Sequence, residues 1–146
     1  MKQIPPRVVL WVNRIIFCIL IALLPSIPFI LRWYSSIRPL STSEHLAIMI
    51  AFYVCALITG IALWKIEQLL KNIIAENVFI RKNVRYIRCI QWCCGFVSLV
   101  CIPAAVFYLP LIFMVVIMAF LFLVMGVVTK VMDAAVTIRE ENDLTI

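Results

Sequence analysis

From Ile90 to Val128 the sequence runs thirty-nine residues without a Lys, Arg, Asp or Glu. A helix rises about 1.5 Å per residue and a bilayer core is about 30 Å thick, so one crossing takes about 20 apolar residues. The run is long enough for two crossings with a tight turn. Phe107 to Pro110 is the predicted turn: proline suits the first turn of a helix, and Phe107 and Tyr108 suit a membrane interface. The composition points the same way. Of 146 residues, 66% are hydrophobic and 14% charged, against roughly half and a quarter in a soluble domain. A chain this small buries only part of its surface on folding, so lipid must cover the excess.

Two further apolar runs precede this one. The first spans about Val8 to Leu31, with Arg14 near its start, where a long basic side chain reaches the headgroups. No small-residue cleavage site follows it, which argues against a secretory signal peptide. Instead Pro25-Ser26-Ile27-Pro28 leads on into apolar residues and the interfacial pair Trp33-Tyr34. The second run is about Leu46 to Leu63, preceded by Ser41 and Glu44 at capping-box spacing and followed by Trp64 and Lys65. Ala56 and Gly60 form a small-xxx-small pair that permits close helix approach. The expected fold is an all-α, integral membrane four-helix bundle, a single domain with spans at about 8–31, 46–63, 90–106 and 111–129.

Between spans two and three the pattern changes. Ile66, Leu69, Leu70, Ile73 and Ile74 recur on one helical face, and Lys65, Glu67, Gln68, Lys71 and Asn72 fill the other, which predicts an amphipathic insert over 65–88. It breaks around Glu76-Asn77, where Asn suits the left-handed conformation that ends a helix. A second helix starts near Asn83 and runs into span three, carrying Arg81, Arg85 and Arg88 at helical spacing. After span four, Val128, Val131, Ala135 and Ile138 continue one apolar stripe opposite Lys130, Asp133 and Arg139. The tail, residues 130–146, is expected to lie on or near the membrane surface and ends in Glu140-Glu141-Asn142-Asp143.

The basic residues orient the chain. The N-terminus has three Lys or Arg (Lys2, Arg7 and Arg14), the insert six and the tail two, against Arg32 and Arg38 on the other side. By the positive-inside rule both termini and the insert face the cytoplasm. The net charge of +6 then reports contact with anionic headgroups rather than direct binding of nucleic acid.

Little here suggests an enzyme. Catalysis needs convergent acid, base or nucleophile groups. The spans hold no Asp, Glu, Lys or His, and Ser26, Thr59, Ser98 and Thr129 have no base nearby in sequence. The missing intramembrane carboxylate also argues against proton-coupled transport. Of the six cysteines, Cys18 and Cys55 lie in the first two runs, and Cys89, Cys93, Cys94 and Cys101 along the third. They read as small hydrophobes. Cys89 and Cys93 are one turn apart, but the single histidine, His45, is in another loop, so no metal or other cofactor is expected.

Two features carry functional expectations. Pro25, Pro28 and Pro103 fall in the outer halves of their spans. Membrane helices tolerate proline, yet three bends on one side would also splay the bundle and open a cavity to the outside. The basic face of Arg81, Lys82, Arg85 and Arg88 has three readings: contact with anionic lipid, pairing with the acidic tail (Glu140, Glu141, Asp143), or docking of a cytoplasmic protein.

Leu69-Leu70-Lys71-Asn72-Ile73, Phe79, Asn83-Val84, Ile87-Arg88-Cys89-Ile90 and the terminal Glu140-Glu141-Asn142-Asp143-Leu144-Thr145-Ile146 resemble the domain-of-unknown-function 2975 family of small four-span bacterial membrane proteins. The layout is similar over nearly the whole chain, and about thirty residues carry the specific similarity. Asn77 stands where the family tends to have glycine, and Met132-Asp133-Ala134-Ala135 where it tends to have a Val-Phe-x-x-Gly-like stretch. The family's genes often neighbour one for a small helix-turn-helix regulator. The resemblance therefore implies a non-enzymatic regulatory or scaffold protein of the bacterial cell membrane that docks such a regulator. The reading from another class is a binding or resistance protein for an apolar or peptide ligand entering from the outer face. Both readings accommodate a monomer or an oligomer.

Overall fold

The computed structural model describes residues 5–39 and 41–145. Lys2 of the N-terminal basic group and Ile146 of the tail lie outside them. Every element among the described residues is helical: α1 (Pro6–Leu23), a single 3₁₀ turn (Leu24–Ser26), α2 (Ile27–Ile37), α3 (Thr42–Ile74), α4 (Arg81–Phe107) and α5 (Leu111–Leu144). Taking α1 and α2 as one rod, four helices are long and apolar enough to cross a membrane. The fold is that of a multi-pass membrane protein.

Local chemistry sets the boundaries. Pro25 sits in the 3₁₀ turn and Pro28 at the start of α2. Neither proline has an N–H to give the preceding turn, so the rod changes winding there. The capping box at α3 forms: the Ser41 side chain accepts from the Glu44 N–H at 3.4 Å, and the Ser41 N–H donates to Glu44 Oε2 at 2.9 Å. At the α4–α5 turn Pro110 is the N-cap, one position earlier than the first-turn place expected for it.

The insert differs from the expectation in one respect. Residues 65–74 are not a separate helix, because α3 continues through them without a break. Its 33 residues extend about 50 Å, some 20 Å more than a bilayer core requires. The 34 residues of α5 overshoot similarly. The left-handed residue that ends α3 is Glu76 (φ 62°), not Asn77. The Glu76 N–H donates to the Ile73 carbonyl at 3.1 Å and the Asn77 N–H to the Asn72 carbonyl at 3.0 Å. These two bonds are those of a Schellman cap, in which the left-handed residue comes directly after the helix-capping one. Ala75 is the cap, so Glu76 takes the left-handed place.

The rods pack antiparallel in chain order, α1 on α3, α3 on α4 and α4 on α5. Polar residues join them at intervals. Asn13 Nδ2 donates to the Leu63 carbonyl at 3.1 Å and Ser98 Oγ to the Val115 carbonyl at 3.1 Å; the Thr129 hydroxyl donates to the Met125 carbonyl of its own helix at 2.8 Å and lies 3.5 Å from Gln91 Oε1 on α4. Such bonds between apolar helices are worth about 0.6–2 kcal/mol each. Small residues bring backbones close: a Cβ on Gly95 would lie 3.0 Å from the Phe122 ring, and one on Gly126 2.9 Å from Gln91 Nε2.

On α5, Thr129 and Val136 are buried, whereas Val131 and Ile138 are 63% and 59% exposed. Val131 and Ile138 of the predicted apolar stripe therefore face outward from the bundle, and the helix packs through the face that holds Thr129 and Val136.

Candidate functional site

Two regions concentrate the chemistry, one at each end of the bundle. At the α3–α4 end the overshooting helices form a charged tier. Its pivot is Asn83, which is fully buried. Asn83 Nδ2 donates to the carbonyls of Asn77 and Val78, both at 2.8 Å, and Oδ1 accepts from Asn72 Nδ2 at 2.7 Å. One amide side chain thereby satisfies two turn carbonyls that no helix ladder reaches. Sequence reading placed Asn83 near a helix start and assigned it no role. The residue lies inside the first turn of α4, which begins at Arg81.

Arg81 projects from that turn onto α5. Its Nη2 pairs with Glu140 Oε2 and its Nε with Glu140 Oε1 at 3.3 Å, a two-pronged contact. Nη1 lies 3.7 Å from Asp133. The hydrogen bonds from Arg81 hold the Glu140 carboxyl below its usual range, and those to Glu140 raise the guanidinium. Of the expected basic face and acidic tail, the structure therefore joins Arg81 to Glu140 and adds Asp133, which the sequence places on the polar face of the tail without a partner. Lys82 and Arg85 instead line a shallow groove with Lys65, Tyr86 and Cys89. The Lys65 ammonium sits 5.2 Å from the Tyr86 ring centre. Arg88, Glu141 and Asp143 are exposed, and none forms an ion pair among the described residues.

A second ion cluster ties α1 to α3. Glu67 Oε1 receives Lys71 Nζ at 3.0 Å and Arg14 Nη2 at 3.1 Å. Hydrogen bonds from Lys71, then from Arg14, lower the Glu67 carboxyl. Arg14 thus has a protein partner besides the headgroups expected for it.

At the opposite end, near the 3₁₀ turn and the α4–α5 turn, lies a cavity of about 290 Å³ walled by all four rods. Leu24, Ile27 and Ile30 form one side, Ala51, Cys55 and Thr59 another, Val97 and Cys101 a third, and Leu111, Met114 and Met118 the last. Its lining is almost wholly apolar. Tyr34 and Tyr108 stack edge to face at 5.4 Å at this end, linking α2 to the α4–α5 turn. The half of the bundle that holds the three prolines is therefore not close-packed.

A family model described as a protein of unknown function, DUF2975, matches residues 5–146, nearly the whole chain. The chain belongs to the DUF2975 family. No curated protein and no solved structure matches it. As a DUF2975 member the chain shows where its two structured regions lie: a polar lock and ion clasp at one end, and an apolar cavity at the other.

Proposed function

We propose that this chain is a non-enzymatic regulatory or scaffold protein of a bacterial cell membrane, with its charged tier in the cytoplasm docking a helix-turn-helix regulator. The observation that carries the reading is the Arg81 clasp on Glu140 and Asp133. It fixes the α3–α4 turn to the tail and leaves Lys82, Arg85, Arg88, Glu141 and Asp143 free for a partner or for anionic headgroups. In the sequence, eleven of thirteen basic residues fall in the N-terminal segment, the stretch 65–88 and the tail, which supports the cytoplasmic assignment. The exposed Val131 and Ile138 stripe would face the membrane surface or the partner.

Alkaline phosphatase fused at residue 40 is expected to be active and at residue 80 silent; the opposite pattern overturns the orientation. For docking, the protein in nanodiscs is titrated with the purified regulator encoded beside it. Joint Lys82→Ala, Arg85→Ala and Arg88→Ala is expected to weaken binding tenfold or more, since charges steer and specify such contacts. Equal binding by the variant, or none by the native chain, refutes the docking reading. Arg81 is left intact, because its loss would undo the tier itself.

The cavity favours a second reading, a binding or resistance protein for an apolar ligand that enters from the outer face. Apolar walls at this depth suit an acyl or similar hydrocarbon group, which needs no hydrogen-bond partner. Filling the space with Ala51→Leu and Thr59→Leu is expected to abolish protection against a membrane-active peptide while the helices still insert; unchanged protection excludes this reading.

A further inference from the structure

The cavity wall carries a cluster of sulfur. Cys55 on α3 and Cys101 on α4 bring their Sγ atoms to 3.7 Å, and both residues line the cavity. Met114 and Met118, one helical turn apart on α5, line it as well. Two cysteines in contact and two methionines, from three different helices, therefore line one space. Packing alone explains a cysteine as a small hydrophobe. It does not require two thiols in contact across helices in the wall of a cavity that two methionines also line.

We propose that this cluster is a binding site for a soft monovalent cation, Cu(I) or Ag(I), with Cys55 and Cys101 as primary ligands and Met114 and Met118 completing the shell. Soft sulfur donors select such ions over hard ones. Two sulfurs 3.7 Å apart subtend roughly 107° at a centre about 2.3 Å from each, close to the tetrahedral angle. A two-coordinate linear ion would need them farther apart.

Charge decides between soft cations. The surrounding walls are apolar, and an uncompensated charge there is costly. A monovalent cation that replaces one thiol proton leaves the site neutral: one S–H bond breaks, one S–metal bond forms, the proton leaves to water, and no electron moves. The second thiol and both thioethers then bind as neutral donors. Zinc would need both thiols deprotonated to reach neutrality, and it favours four N or S ligands from thiolate and imidazole rather than thioether. This inference is independent of both functional readings above, since neither requires a metal.

The test uses full-length protein in nanodiscs with Ag(I), which needs no reductant. Cys18, Cys89, Cys93 and Cys94 are first replaced by Ala, so that only the cavity pair remains. This variant is expected to bind one Ag(I) and to release one proton in unbuffered solution. Adding Cys55→Ala or Cys101→Ala should abolish binding. Adding Met114→Leu with Met118→Leu should weaken it roughly tenfold or more, the scale on which support around a metal acts. Circular dichroism and gel filtration verify that each variant remains folded. The proposal is overturned if the folded cavity-pair variant binds no Ag(I), if it releases two protons per ion, or if the methionine replacements leave affinity unchanged.

Discussion

Asn72 and Asn83 face each other across the α3–α4 turn with Nδ2 and Oδ1 2.7 Å apart. The remaining protons of the Asn83 amide are both spent on turn carbonyls. A six-residue connection between two long helices is thus held by one side chain, and everything docked on that tier depends on it.

Asn83→Ala would remove the partner of the Asn77 and Val78 carbonyls and of the Asn72 amide at a partly buried site, and leave a cavity where a fully buried side chain sat. The expected loss is about 2–3 kcal/mol. Asn72→Ala removes one partner at a more accessible position and should cost about 1 kcal/mol. Thermal unfolding in detergent checks the order. Equal effects for the two would contradict the central place given to Asn83.

Glu76 occupies left-handed backbone with an ordinary side chain. That conformation costs roughly 1–2 kcal/mol outside glycine, and glycine gives back part of the gain through unfolded-chain entropy. Glu76→Gly should therefore stabilise the protein by roughly 0.5–1 kcal/mol. A drop in unfolding temperature for this variant would show that the Glu76 carboxylate has an unrecognised partner.

The carboxyls of Glu67 and Glu140 are both lowered by hydrogen bonds from basic partners. A depressed acid stabilises the fold above its unfolded value of about 4.3 and loses that contribution as pH falls through the folded value. Stability should thus decline on acidification below pH of about 4.5, and the slope should flatten in Glu67→Gln. Both carboxyls lie in solvent-screened ion pairs, so the decline is shallow and salt weakens it. A Glu67→Gln profile superimposable on the native one would remove the Arg14–Glu67–Lys71 cluster from the account.

Gly95→Ala and Gly126→Ala test the α4–α5 contact. The new Cβ on Gly95 meets the Phe122 ring, which is wedged against Trp92 with ring centres 5.9 Å apart. The cost should fall in the 1–3 kcal/mol range of overpacking. At Gly126 the obstacle is the far end of Gln91, a flexible side chain that swings aside at the cost of its polar contact with Thr129. Gly126→Ala is expected to be the milder of the two in a detergent unfolding series.

How much of this was legible in the sequence follows from what periodicity encodes. Length and apolarity of the runs, the Ser41–Glu44 capping box and the basic bias are local, and they predict helices, a cap and spans directly. The pairing of Arg81 with Glu140 was among the readings open beforehand, because both residues carry long charged side chains and the topology brings their segments together. Asn13 and Asn83 were passed over because a single polar residue in or beside an apolar run has no period. Their roles depend on which carbonyl lies opposite, a tertiary fact. The left-handed position moved from Asn77 to Glu76 for a similar reason. Asparagine is the better left-handed residue in isolation, but the register of the last α3 turn decides which residue follows the cap. The stripe on α5 was legible as an apolar face, but which face meets α4 was not, because only the partner helix chooses it.

Helix α3 runs from the cavity wall at Ala51, Cys55 and Thr59 to Asn72 with no proline or 3₁₀ turn along the way. Asn72 is one half of the contact that sets the α3–α4 turn. The two ends of the molecule, chemically unlike and some 20–30 Å apart by helical rise, are therefore joined by one unbroken hydrogen-bonded rod, which fixes the spacing between them.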